Sequence, residues 1–209
     1  MDGQRPTSGA SPPAIPRLAA SVIVLREAGP GFELLLVKRN PAQRFMGGFW
    51  VFPGGAVDAH EGADEAAQRA AAVRELREEA GIAGVDPGRL VRYSRWITPP
   101  VLSMRFDTHF FLALAPDGAV ARCDGHECVE LRWATPRALL ADYERNAVAL
   151  APPTLRQIEQ LATFGSAAEL IEHARTHVVS PVLPRVAGSA EVARVALPGE
   201  AVAPAPGDV

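Results

Sequence analysis

Ten consecutive residues, VRELREEAGI at 73–82, place three glutamates within five positions of one predicted helix. On a helix with about 100° between residues, one arc is apolar and consists of Ala72, Val73, Leu76 and Ala80. A second arc is acidic and consists of Glu75, Glu78 and Glu79. The apolar arc must be covered by another layer of structure, so this helix is predicted to pack on a sheet. Gly81 is placed to end the helix in a left-handed conformation.

The acidic arc is unfavourable for a helix that binds nothing. Glutamates three or four positions apart repel each other by about 0.2–0.5 kcal/mol per pair, and negative charge is disfavoured in the last helical turn. One interpretation is a solvated acidic face that an Arg74–Glu78 pair relieves. The other is a bound divalent cation, which would reverse the sign of each repulsion. Clustered oxygen ligands favour Mg²⁺ or Mn²⁺, and no paired imidazole or thiolate nearby indicates zinc.

Composition and charge restrict the class of protein. The chain of 209 residues is 48% hydrophobic, which is sufficient for one globular domain with a sizeable core. Its net charge of −3 provides no basic field for nucleic acid or a membrane surface, so we expect neither partner. No apolar run is long enough to span a bilayer, and Cys123 and Cys128 form no disulfide framework. We therefore expect a cytoplasmic protein.

Strand and helix patterns alternate irregularly along the chain. Strands are predicted at 17–27, 32–40, 49–55, 89–98 and 105–116, and helices at 64–80, 136–145, 153–163 and 166–177. This order predicts an α+β fold with a mixed sheet instead of a doubly wound βαβ series. The Pro-, Gly- and Ser-rich residues 1–16 are predicted to be disordered. A single domain is predicted for residues 17–198, followed by a flexible tail at 199–209.

The glutamate helix carries a family resemblance. Its RELREEAGI segment is similar, position by position, to the core of the Nudix hydrolase signature, and the upstream FPGG segment also matches. Gly55 and Glu61 fall on the opening Gly and Glu of that signature. The family pattern has seven residues between this Glu and the Arg, whereas this chain has twelve, 62–73. We expect the extra residues to lengthen the loop or the helix, and Asp58 is an alternative to Glu61.

The resemblance implies a fold, an activity and a set of roles. The fold is the α/β/α sandwich of Nudix proteins with a mixed sheet, here with extra C-terminal helices at 153–177. The activity is hydrolysis of a nucleoside diphosphate linked to another group, with bound Mg²⁺ or Mn²⁺. The metal ligands would be Glu75, Glu78 and Glu79, with Glu61 and the carbonyl of Gly55 as further candidates. Arg74 would orient the glutamates, and either one of them or Glu127 would deprotonate the attacking water. A solvated loop carboxylate is the alternative interpretation of Glu127.

A second motif bears on the substrate. LLLVKRNPAQRFMGGFWVFPGG at 34–55 resembles the segment that precedes the signature in coenzyme A diphosphatases. It implies substrate contacts from four residues, which are Lys38, Arg39, Arg44 and Gly54. Cationic donors suit an anionic ligand such as the phosphate-bearing coenzyme A, although the end of a strand also explains Lys38 and Arg39. Asn40 and Val37 depart from the usual residues of that motif. The interrupted signature is itself similar to the branch of peroxisomal coenzyme A diphosphatases and their bacterial relatives.

Three functions remain open at this point. The leading one is cleavage of coenzyme A or its derivatives into 3′,5′-ADP and a phosphopantetheine or acyl-phosphopantetheine. The second is hydrolysis of another nucleotide conjugate, such as ADP-ribose, a dinucleotide or a damaged nucleoside triphosphate. The third is a catalytically silent Nudix domain that senses a nucleotide. The resemblance is also consistent with a homodimer.

Overall fold

The secondary structure is taken from a computed structural model that describes residues 13–187 and 194–196. Its strands are β1 (Arg17–Ala28), β2 (Gly31–Arg39), β3 (Trp50–Val51), β4 (Gly54–Ala56), β5 (Val91–Ile97), β6 (Phe106–Leu114), β7 (Cys128–Ala134), β8 (Pro181–Val182), β9 (Arg185–Ala187) and β10 (Arg194–Ala196). Its helices are α1 (Glu65–Ala80), α2 (Pro136–Glu144), α3 (Pro152–Leu161) and α4 (Ala167–Thr176). Most of the segment predicted to be disordered and all of the predicted tail lie outside the described residues.

The central sheet contains eight strands and is mixed. Strands β3, β2, β1, β6, β5 and β8 follow one another in that order, while β4 pairs with β1 and β7 pairs with β2. The pairs β1–β6 and β5–β8 are parallel, and the other pairs in this sheet are antiparallel. Strands β9 and β10 form a separate antiparallel pair. The predicted mixed sheet is therefore confirmed.

Helices cover both faces of this sheet. Helix α1 packs on one face, where Ala72, Leu76 and Ala80 are fully buried against Val22 and Val24 of β1 and other apolar side chains. The opposite face is covered by α2, α3 and α4, in a second core that includes Ile23, Leu25, Leu139, Ile158 and Leu170. Adjacent residues of β1 thus enter different cores, as expected for a strand covered on both sides. The predicted α/β/α sandwich with extra C-terminal helices is confirmed.

The four predicted helices are present, with boundaries shifted by no more than two residues. Helix α1 is continuous, begins after Asp64, and ends at Gly81, whose φ of 66° is left-handed as predicted. The Asp64 carboxylate accepts a hydrogen bond from the backbone N–H of Ala67 and caps the first turn. The extra residues of the interrupted signature therefore extend α1 at its N-terminal end and leave the turn with the glutamates unbroken.

The segment predicted as one strand at 49–55 forms two. Trp50–Val51 pairs with β2, and Gly54–Ala56 pairs with β1. Both short strands lie between β1 and β2, because β1 contacts β6 and β2 contacts β7 on their outer edges. Pro53 has no N–H to donate, and its carbonyl accepts bonds from Val22 N–H (2.9 Å) and Ser21 Oγ (2.7 Å). This arrangement brings Gly54 and Gly55 next to α1.

Four strands, β7, β8, β9 and β10, were not predicted. Strand β7 has a polar face with Glu130 and Arg132 and an irregularity near its start, where the register with β2 shifts between Lys38 and Arg39. Strand β8 has only two residues. Strands β7 and β8 form because they pair with distant segments, so the local sequence pattern does not predict them. Within the described residues, none of the helices has both the length and the apolar character needed to cross a lipid bilayer.

Candidate active site

The guanidinium of Arg74 lies among the acidic side chains of Glu61, Glu75 and Glu78, which together with Glu79 form the acidic cluster of the site. Its Nη1 donates to Glu75 Oε1 (2.7 Å) and Glu78 Oε2 (3.1 Å), and its Nε donates to Glu61 Oε1 (3.1 Å). Its Nη2 donates to the carbonyl oxygen of Ala56 at 3.0 Å. These hydrogen bonds, first among them the bond to Glu61, raise the pKa of Arg74 and hold the pKa of Glu61 below its usual range. Arg74 thereby connects α1, β4 and the intervening loop.

Glu61 bonds to Arg74 and to the backbone of its own loop. Its Oε2 accepts a bond from the backbone N–H of Asp58 at 2.7 Å and contacts Arg74 Nη2 at 3.3 Å. Asp58, the alternative candidate, is 3.8 Å from the same guanidinium nitrogen and is half exposed. Because both oxygens of Glu61 already have donors, its observed contacts serve to hold Arg74.

Glu79 is the most buried member of the cluster. Its side chain is 2% exposed, whereas that of Glu78 is 50% exposed. The Gly54 N–H donates to Glu79 Oε2 at 2.9 Å, and Arg39 Nη1 is 3.7 Å from Oε1. Oε1 is buried without a hydrogen-bond partner among the described residues. Burial raises the pKa of Glu79 to about 7, against its ordinary 4.5, and the bond from Gly54 opposes this shift.

Gly55 brings the backbone of β4 into direct contact with Glu75. A Cβ atom at Gly55 would lie 2.3 Å from Glu75 Oε1 and 2.6 Å from its carboxyl carbon. The pKa of Glu75 is raised, chiefly by burial and also by the negative charges of Glu78 and Glu127, while Arg74 opposes the rise. The absence of a side chain at Gly55 therefore permits Glu75 to reach its position.

We expect substitution by Ala to have different effects on activity and stability at Gly54 and at Gly55. Gly55→Ala is expected to displace the Glu75 carboxylate, because the clash involves the end of a flexible side chain. Turnover should fall at least tenfold, while the melting temperature stays close to wild type. Gly54→Ala is expected to unfold at a lower temperature, because its Cβ would lie 2.5 Å from the Ala20 carbonyl oxygen. Thermal melts and turnover of both variants test this contrast, and equal melting temperatures would contradict it.

The residues present fit a hard divalent cation. Three carboxylates project from one turn of α1, and the orphaned Oε1 of Glu79 has an unused lone pair in a buried position. Oxygen donors of this kind suit Mg²⁺ or Mn²⁺. In the described residues, no three acidic, His or Cys side chains converge into a closed metal cluster. The guanidinium of Arg74 instead compensates the charge of Glu75 and Glu78.

Glu127 lies in the turn that precedes β7. Its N–H donates to Asp124 Oδ2 at 2.9 Å, and its carbonyl accepts a bond from the N–H of Asn40 at 2.7 Å. The side chain is exposed, and its charge contributes to the raised pKa of Glu75. The structure thus places Glu127 within electrostatic reach of Glu75.

The cationic residues of the second motif are not brought to a single place. Arg39 faces α1, where Nη1 lies near Glu79 and Nε donates to the Phe45 carbonyl at 3.2 Å. Lys38 alternates to the opposite face of β2 and pairs with Glu130 at 2.6 Å. Arg44 is exposed in the following loop and makes no ion pair with a described residue. The structure therefore groups Arg39 with the glutamates and separates Lys38 from them.

Two residues near the cluster were missed by the sequence analysis. Asn40 bonds to the turn that carries Glu127, and buried Cys128 lies close enough to Glu79 to affect its pKa. The only sequence signal for Asn40 was its departure from the usual residue of the motif. Cys128 had no signal, because its proximity to Glu79 arises from the pairing of β7 with β2.

A separate cleft lies away from these glutamates. It has a volume of about 1090 Å³ and lies between the C-terminal end of β6, the turn before β5 and the end of α4. Its lining includes Arg69, Arg89, Leu114, Arg175 and His177. None of the predicted site residues lines it, so the chemistry of the side chains, and not the size of a cavity, identifies the candidate active site.

The family model of the NUDIX domain matches residues 15–154, which is more than half of the chain. The matched region contains β1–β7, α1 and every residue of the candidate site. The chain therefore belongs to the Nudix family.

The names of the relatives refer to different substrates. A protein called nudix hydrolase 7, from Caenorhabditis elegans, is 27% identical over 180 residues, which cover 70% of this chain and 60% of the relative. An acyl-coenzyme A diphosphatase from Xenopus laevis is 32% identical over 85 residues, which cover 39% of this chain and 22% of the relative. A protein named as an 8-oxo-dGTP diphosphatase, from Bacillus subtilis (strain 168), is 34% identical over 120 residues, which cover 57% of this chain and 67% of the relative. The chain thus spans less than two thirds of the length of the first two relatives.

The solved structures agree with the family assignment. The crystal structure of a NUDIX hydrolase from Alicyclobacillus acidocaldarius superposes with a TM-score of 0.68 at 25% sequence identity. The superposition covers 76% of this chain and 96% of that protein. The sandwich described above is therefore shared with Nudix proteins.

Proposed function

We propose that this protein is a divalent-metal-dependent Nudix hydrolase that cleaves the diphosphate bond of coenzyme A or its derivatives. The products would be 3′,5′-ADP and a phosphopantetheine or acyl-phosphopantetheine. The observation that carries the hydrolase proposal is the carboxylate of Glu79, which is buried beside Gly54. Its Oε1 accepts no hydrogen bond from the described residues and lies 3.7 Å from Arg39 Nη1. A buried carboxylate costs stability when it is ionised, and a bound divalent cation would offset that cost.

The residues of the site divide into three roles in this proposal. Glu75, Glu78 and Glu79 would hold Mg²⁺ or Mn²⁺, with the Gly55 carbonyl as a further candidate ligand. The bound cation would neutralise phosphate oxygens and lower the pKa of a bound water. Arg74 keeps the carboxylates in place through its fork of hydrogen bonds. Glu127 would accept the proton of the attacking water, because its carboxylate is exposed and its charge acts on Glu75.

Coenzyme A is proposed as the substrate on two grounds. The segment 34–55 resembles that of coenzyme A diphosphatases, and one relative bears the name of an acyl-coenzyme A diphosphatase. Arg44, which has no ion-pair partner among the described residues, is available for a phosphate group, and Arg39 lies at the glutamates. The relative named as an 8-oxo-dGTP diphosphatase favours another nucleotide as the second candidate. ADP-ribose and dinucleotides belong to the same alternative, and a catalytically silent nucleotide sensor is the third.

We also propose that the protein acts in the cytoplasm. Cys123 and Cys128 are free thiols in the structure, which is consistent with a reducing compartment. The expected assembly is a homodimer, which size-exclusion chromatography with light scattering would test directly.

The substrate proposal predicts a specific outcome in a turnover assay. Purified protein with Mg²⁺ or Mn²⁺ is incubated with coenzyme A, acetyl-coenzyme A, NADH, ADP-ribose, diadenosine polyphosphate and 8-oxo-dGTP. We expect preferred cleavage of the coenzyme A species, with 3′,5′-ADP identified by chromatography. Glu78→Gln serves as the control that should abolish turnover while leaving nucleotide binding mostly unchanged.

Each alternative outcome has a distinct meaning. Preference for another member of the panel would retain the hydrolase proposal and reject coenzyme A. Full activity in Glu78→Gln would contradict the assignment of the glutamates as metal ligands. Nucleotide binding without turnover, with both metals, would favour the silent sensor.

A further inference from the structure

Asn40 connects the end of β2 to the turn before β7. Its Nδ2 donates to the His126 carbonyl at 2.8 Å, and its backbone N–H donates to the Glu127 carbonyl at 2.7 Å. Its Oδ1 accepts a bond from the N–H of Ala42 at 3.0 Å. The amide therefore uses a donor and an acceptor at the same time, which neither Ser, Ala nor Asp can reproduce with the same geometry.

Among the described residues, the other hydrogen bonds of the turn held by Asn40 lie within the turn itself. Asp124 accepts bonds from the N–H groups of Glu127 and Cys128, both at 2.9 Å, and Gly125 N–H donates to the Cys128 carbonyl. These bonds shape the turn internally. The register shift between Lys38 and Arg39 in the β2–β7 pair lies at the same point, and such irregularities redirect the side chains that follow or precede them. The bonds from Asn40 therefore join the preformed turn to the strand that bears Arg39.

We propose that Asn40 is a positioning residue that holds Glu127 opposite the glutamates of α1. This inference rests on the proposed function, because it takes Glu127 as the proton acceptor. Asn40 makes no hydrogen bond to a carboxylate among the described residues and acts through the His126 carbonyl and the backbone of Glu127. The adjacent Arg39 contacts Glu79, so one short segment of β2 supports both sides of the site.

The test compares Asn40→Asp with Gln43→Ala in the 209-residue protein. Asn40→Asp retains the shape and an acceptor for Ala42 N–H, but replaces the donor to His126 with an oxygen. We expect kcat to fall about tenfold or more with little change in KM. Gln43→Ala alters the same loop at a side chain that makes no hydrogen bond to a described residue and should keep wild-type kinetics. Backbone amides at 126–128 should exchange hydrogen about five- to tenfold faster in Asn40→Asp.

A double-mutant cycle with Glu127→Gln separates positioning from general destabilisation. If Asn40 acts through Glu127, Asn40→Asp should have no further effect on kcat in the Glu127→Gln background. Equal losses in both backgrounds, or wild-type kcat in Asn40→Asp, would overturn the inference and leave the proposed hydrolase intact. If the wild-type protein turns over none of the panel, the proposed function fails first. Amide exchange then decides whether Asn40 holds the turn, and unchanged exchange would overturn the positioning role.

Discussion

Replacing Glu79 by Gln is expected to reduce turnover at least about 100-fold and to leave the fold intact. Loss of groups that only support a metal ligand already costs about 10–100-fold in affinity or activity, and Glu79 is proposed as a ligand itself. Gln has nearly the same shape and can still accept the Gly54 N–H. Isothermal titration with Mn²⁺ should show weaker binding, and steady-state kinetics should show the fall in kcat.

The same substitution is expected to change how stability depends on pH. Glu79 in the folded protein has a pKa of about 7, raised by burial from 4.5. Its stabilising contribution is therefore fully present below pH 4.5 and is lost as the pH rises through 7, which amounts to about 3 kcal/mol. Metal-free wild-type protein should show this loss in urea unfolding between pH 4.5 and 8, and Glu79→Gln should lack it.

Adding a divalent cation tests directly whether Glu79 is a metal ligand. Saturating Mn²⁺ should raise the stability of wild-type protein at pH 8, because binding to the folded state alone stabilises it. The gain should be much smaller in Glu79→Gln. Glu172→Gln, at an exposed position of α4, is the matched control and should behave as wild type in both experiments. Equal stabilisation of Glu79→Gln and wild type by Mn²⁺ would show that Glu79 is not a ligand.

Replacing Arg74 by Ala is expected to damage both stability and activity. The guanidinium bonds to Glu61, Glu75 and Glu78 and to the Ala56 carbonyl, so its removal leaves several partly buried acceptors without a donor. We expect a decrease of about 2–4 kcal/mol in the free energy of unfolding in metal-free protein. The remaining carboxylates would repel each other, and turnover should fall at least about tenfold.

Two further variants separate charge from geometry at this position. Arg74→Lys keeps the positive charge but loses the planar fork of donors, so its stability and turnover should lie between those of wild type and Arg74→Ala. Arg77→Ala, on the exposed side of the same helix, should change stability by no more than about 0.5 kcal/mol. If Arg74→Ala matched Arg77→Ala in urea unfolding, the network around Arg74 would have no role in stability.

The local features of the site could be predicted from the sequence. The helix period, the acidic arc and the Gly81 terminus depend on residues within one or two turns, so the pattern of 64–82 was sufficient for them. The resemblance of RELREEAGI and FPGG predicted the family and the sandwich, and both are confirmed. The strands β7 to β10 were missed because β7 has a polar face and the other three are only two or three residues long, so none has a distinctive local pattern.

Only the tertiary structure decided the environment of each charged group. Glu78 and Glu79 are adjacent in sequence, yet the packing of β4 against α1 leaves Glu79 buried and Glu78 half exposed. Lys38 and Arg39 are also adjacent, and the alternation of β2 sends them to opposite faces of the sheet. Sequence determined which charges are present and where the helix lies. Long-range strand pairing decided which of those charges are buried together, because desolvation depends on neighbours that are distant along the chain.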